Sequence, residues 1–158
     1  MLPAKQGLYN PDFEHDNCGA GFICSLKGIK TNDIIHKALD ILDKLKSKGK
    51  ELFLITNAHR ITLNIKLKKF DISKYFSEMV CSHELGYVKE DIQFWHILRL
   101  KLKLDYKYSV LVEDTFDNIN SAYHAGLNNF VYISDNKKFT SPLSPLIVKS
   151  FSELSSSI

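Results

Sequence analysis

From residue 52 to residue 133 the chain alternates short apolar runs with helically patterned segments, and no other feature limits the possible folds as strongly. The runs at Leu52–Thr56, Met79–Ser82, Tyr108–Val112 and Phe130–Ile133 have strand length, and the stretches Ile61–Lys69, Asp91–Lys103 and Asp117–His124 between them read as helices. A strand that hands over to a helix each time pairs in parallel with its neighbours, because a parallel partner is reached only through a crossover. The expected fold class is therefore α/β, a Rossmann-like three-layer arrangement with helices on both faces of a parallel sheet.

Upstream, the apolar run Ala20–Leu26 closes on Lys27-Gly28 and reads as a further buried strand. The next segment carries Ile34, Ile35, Ala38, Leu39, Ile41, Leu42 and Leu45 at helical spacing, with capping oxygens at Thr31-Asn32-Asp33 and a stop at Gly49. Residues 1–17 show no period, and the tail from Thr140 carries only a weak helical pattern, so it is expected to be loosely packed.

Composition excludes several classes. A net charge of +3 is too small for a nucleic-acid polymer partner, and Lys44, Lys46, Lys48, Lys50, Lys66, Lys68 and Lys69 are not spaced to make one basic face. The apolar runs are a few residues long, against the roughly 20 needed to cross a bilayer, and the start lacks an apolar signal core. With Cys18, Cys24 and Cys81 an odd set lacking any C-x-x-C pair, free thiols in a reducing, cytoplasmic setting are expected.

In open parallel sheets ligands bind beyond the carboxyl ends of the strands, and those positions here are polar. They read Thr56-Asn57-Ala58-His59, then Ser82 through Lys89, then Glu113-Asp114-Thr115. A hydroxyl, an ammonium and two adjacent carboxylates suit a phosphate monoester with a magnesium ion. Thr56 would donate to a phosphoryl oxygen, Lys89 would offset its charge, and Asp114 with Glu113 would hold the metal. Taken singly, each has a plainer explanation as a cap, a solvated lysine or a first-turn acid. Their shared location at successive strand ends favours the joint reading. His59, His83 and His96 are equally well explained as structural side chains.

Residues 45–135 resemble the haloacid dehalogenase superfamily of phosphohydrolases, with Thr56, Lys89 and Glu113-Asp114 at the places of its second, third and fourth motifs. The wording Leu54-Ile-Thr-Asn-Ala-His59, Gly86-Tyr-Val-Lys-Glu-Asp91 and Trp95-His96 is similar to the bacterial purine nucleotidases within it. The resemblance implies a phosphate monoester or purine nucleotide as ligand and magnesium as cofactor. It also implies an aspartate nucleophile in a D-x-D-x-T motif, which occurs nowhere in this chain. The expected core therefore lacks its native first strand as well as its cap, and turnover is expected to be impaired.

The front is different. Gln6 to Pro11 followed by Glu14-His-Asp-Asn-Cys-Gly-Ala-Gly-Phe22 resembles the amino terminus of the glutamate synthase large subunit, a class II glutamine amidotransferase, up to about Leu42. In that family the cysteine matching Cys18 is the amino-terminal nucleophile after processing, so an amidotransferase remnant is the alternative reading. The expected organisation is a glutamate-synthase-like fragment at 1–44, a hydrolase core at 45–140 and a tail at 141–158. The run Ala20–Leu26 is the candidate to fill the slot of the missing central strand, between the strands ending at Thr56 and Val112.

Overall fold

The computed structural model describes residues 32–134, 143, 145–149 and 153. Helix α1 spans Asn32–Ser47, where Gly49 at φ +70° turns the chain in the left-handed region that a side chain disfavours. Residues 48–52 then lead directly into β1, Phe53–Thr56, followed by α2, Arg60–Lys69. Next come β2, Glu78–Cys81, and α3, Ile92–Leu102, which starts on an Asp91 carboxylate that accepts the Gln93 N–H and ends on Lys103 at φ 53°. Strand β3 is Leu111–Glu113, α4 Phe116–His124 and β4 Phe130–Ile133.

The expected alternation is present, with two differences. Strand β3 begins at Leu111 and not at Tyr108, because residues 105–109 form a turn on Asp105. Its carboxylate accepts the Lys107 N–H, and its carbonyl accepts the Tyr108 N–H and the Ser109 hydroxyl. In the tail, where the sequence offered only a weak helical pattern, Leu146–Val148 forms a fifth strand, β5, parallel to β4. Val148 of β5 packs on Val131, and Leu143, upstream of it, is buried in the main core. A three-residue strand is too short for its period to show in sequence.

All pairings are parallel: β1 with β2, β3 with β4, and β4 with β5. Among the described residues the strands form two sheets, β1-β2 and β3-β4-β5. The expected slot for a missing central strand is between β1 and β3. Ala20–Leu26, the candidate for the slot, lies outside the described residues.

One core joins the two sheets. Val80 of β2, Phe94, Trp95 and Leu98 of α3, Ile119 and Ala122 of α4 and Phe130 of β4 pack together, with Ile55 and Leu111 against them. On the other face Leu54 and Cys81 pack against Leu63 of α2. Successive residues of β1 thus point into different cores, as a sheet covered on both faces requires. No helix among the described residues is long and apolar enough to cross a membrane.

Because Leu98 is buried where α3 meets both sheets, Leu98→Ala should lower stability by about 2–5 kcal/mol in urea denaturation. Ile65→Ala, on the exposed face of α2, should stay within about 0.5 kcal/mol of the native protein.

Candidate functional site

Thr56 ends β1, and its Oγ1 accepts the Ala58 N–H at 3.0 Å, which tightens the turn into α2 and leaves its own O–H to donate. Asn57 crosses to the loop before α3. Its Oδ1 accepts the Lys89 N–H at 3.0 Å, and its Nδ2 donates to both Glu90 carboxylate oxygens, at 2.9 and 3.1 Å. The Lys89 side chain then runs inward to Glu113 at the end of β3, with Nζ 2.7 Å from Oε2 and both side chains 1% exposed. The other oxygen, Oε1, accepts the N–H groups of Asp114 and Thr115 at 3.0 and 3.2 Å, just before α4. Donors on both oxygens, beside the positive end of a helix, favour an ionised carboxylate. Burial pushes the Glu113 carboxyl up, and the Lys89 ammonium opposes that rise.

Of the residues singled out in the sequence, Lys89 and Glu113 are in direct contact, and Thr56 is likewise buried, at the carboxyl end of β1. Asp114 differs from them in burial. The chain leaves β3 there, and Asp114 is exposed while Glu113 faces the interior. The expected shared metal role of the two acids thus separates into an ion-pair partner and one exposed carboxylate. Cys18 lies outside the described residues.

Magnesium demands an octahedron of oxygens, commonly one or two carboxylates completed by phosphates and water. Here both oxygens of Glu113 are already engaged, and no group of three or more His, Cys, Asp or Glu side chains able to hold a metal occurs among the described residues. Asp114 alone does not make up such a site.

Two features were not legible from motif spacing. Arg60 makes a two-pronged contact with Glu84, with Nε to Oε1 and Nη2 to Oε2 both at 2.7 Å, and also donates to the Met79 carbonyl at 2.6 Å. The Arg60 side-chain hydrogen bonding to Glu84 takes the Glu84 carboxyl down to about 2. Beside it, the His59 ring stacks on His83 with centroids 4.1 Å apart, and His59 Nδ1 accepts the Ile61 N–H to cap α2. Burial, helped by neighbouring His59, lowers the His83 pKa. His96 is exposed on α3.

A parallel α/β core with polar residues at its strand ends defines the class as a Rossmann-like α/β fold. The family model for haloacid dehalogenase-like hydrolases matches residues 25–132, well over half of the chain. The chain belongs to that family. Its match begins at residue 25 and so takes in α1.

A dehalogenase crystal structure superposes with a TM-score of 0.67 at 22% identity, covering 77% of this chain and 55% of that one. A putative β-phosphoglucomutase from Thermotoga maritima gives 0.64 at 20% identity, covering 73% and 55%. The GMP/IMP nucleotidase of Escherichia coli is 28% identical over 89 residues, 56% of this chain and 40% of that protein. The glutamate synthase large chain of Bacillus subtilis is 48% identical over 49 residues, 31% of this chain and 3% of that one. The chain is thus a chimera in its similarities, as the sequence suggested, and spans less than half the length of either curated relative.

Removing one partner of the buried pair strands the other. Glu113→Gln should cost about 3–5 kcal/mol in chemical denaturation, and Lys89→Met with Glu113→Leu should recover most of it. For Glu84, a folded-state pKa of about 2 below the ordinary 4.5 means that its stabilisation is present above 4.5 and is lost as pH falls towards 2. Arg60→Met should flatten that acid-side loss in melting curves recorded across this window. The contact is partly solvated, so the change should stay below about 1 kcal/mol.

Proposed function

We propose that this chain is a purine-nucleotidase-like domain of the haloacid dehalogenase family that binds phosphate monoesters and is impaired in turning them over. The observation that supports this most is that Asn57, next to Thr56 at the end of β1, holds the Lys89 N–H at 3.0 Å, in a chain with no D-x-D-x-T motif. A hydroxyl with its proton to donate and an ammonium with two further N–H groups suit the oxygens of a phosphate. What is missing is the carboxylate that would attack phosphorus, displace the alcohol and carry the phosphoryl group as an aspartyl-phosphate. The Lys89 charge is also matched by Glu113, which weakens the field it offers to a developing negative charge. The similarity to the GMP/IMP nucleotidase supports purine nucleotides as the ligand class.

A second reading rests on the 48% identity to the glutamate synthase large chain: a remnant of a glutamine amidotransferase with Cys18 as nucleophile. It requires a free α-amine on Cys18, so intact mass spectrometry decides it. A chain starting at Cys18 supports this reading and a chain starting at Met1 removes it.

For the first reading, the purified chain with magnesium should release no phosphate above a buffer blank from GMP, IMP or an aryl phosphate. Clear turnover that disappears in Asp114→Asn would overturn the proposed impairment.

A further inference from the structure

The Lys89 side chain is 1% exposed and its tip is tied to Glu113. What fixes its root is a set of contacts outside the residues already assigned a role. The Lys89 N–H is held by Asn57 Oδ1 at 3.0 Å, and the Lys89 carbonyl accepts the indole N–H of Trp95 at 2.6 Å. Trp95 is itself 1% exposed, packs edge-on against Phe94 with centroids 5.2 Å apart, and gives its own carbonyl to the Tyr106 hydroxyl at 2.5 Å. Tyr106 is 2% exposed.

From this geometry we infer that Trp95 and Asn57 are positioning residues for Lys89, gripping the peptide groups on either side of its Cα so that the ammonium stays where a phosphate oxygen would meet it. The inference rests on the reading of Lys89 as a phosphate-contacting group. Lysine has a flexible four-carbon stem, and its tip is placed only as well as its Cα–Cβ direction is set. The peptide before Lys89 can rotate unless its N–H is held, and the one after it unless its C=O is held. The two grips come from different elements, the turn after β1 and helix α3. The indole is the stronger constraint, because a buried carbonyl deprived of its donor reorients to find another. A displacement of about 1 Å at a working group is enough to cost up to about a hundredfold.

The test uses the full chain and inorganic phosphate, with binding followed by phosphorus NMR or calorimetry. Trp95→Phe keeps most of the packing and removes the N–H, and Asn57→Ala, at a less buried position, serves should the first fail to fold. Either should weaken phosphate binding about fivefold to tenfold. Leu63→Ala, in the separate core under α2, lowers stability without touching Lys89 and should leave affinity unchanged. Amide hydrogen exchange read by NMR checks the grip without phosphate: the Lys89 N–H should stay protected in the native and Leu63→Ala proteins and take up label faster in Trp95→Phe or Asn57→Ala. Native-like affinity and protection in both variants, or equal losses in Leu63→Ala, would overturn the inference. A native chain that binds no phosphate overturns the phosphate reading, and the labelling pattern then still decides whether the grip on Lys89 exists.

Discussion

The Lys89–Glu113 ion pair is the contact on which the site depends, because it bridges the division between the two sheets. Lys89 belongs to the loop that follows β2, and Glu113 ends β3, so the 2.7 Å contact ties the β1-β2 half to the β3-β4-β5 half at their carboxyl ends. Taking two full charges out of water costs several kcal/mol per ion, and the mutual attraction repays this only when the remaining donors and acceptors are satisfied. Glu113 meets that condition through the Asp114 and Thr115 N–H groups.

Around this pair the polar contacts are distributed in layers. Asn57 links the turn after β1 to the loop carrying Lys89, and the indole of Trp95 links that loop to α3. Tyr106 links α3 to the segment leading into β3, and burial pushes its hydroxyl up to about 12. Further out, Arg60 and Glu84 join the start of α2 to the 3-10 turn at Ser82–Glu84. Each contact joins two different segments and adds a direction that the hydrophobic effect, being non-directional, does not supply.

Much of this was open to sequence reasoning, for a definite reason. Strands such as Leu54-Ile55 and helices such as Asp91–Lys103 carry their own signals, namely apolar runs, caps and period, and their boundaries agree with the structure to within a residue or two. Where a competing local interaction intervened, the signal misled: the turn on Asp105 took the residues expected to begin β3. Strand β5 had no usable signal, because its position is set by the free edge of β4 and by the burial of Val148 against Val131. The placing of Thr56, Lys89 and Glu113 at strand ends was readable because open parallel sheets put their sites there.

The sequence by itself determined the alternation of strand and helix, the family resemblances at each end of the chain and the absence of the D-x-D-x-T motif, since all of these are carried by residue types at fixed spacing. Only the tertiary structure decided which way each acid of Glu113-Asp114 faces, and therefore that one is an ion-pair partner and the other an exposed carboxylate. The same holds for Asn57 and Trp95, whose contacts with Lys89 span 32 and 6 residues of chain. Neighbouring residues share a sequence context but not an environment. Direction, burial and the partner across the sheet are fixed by packing between segments distant in sequence, and no local pattern encodes them.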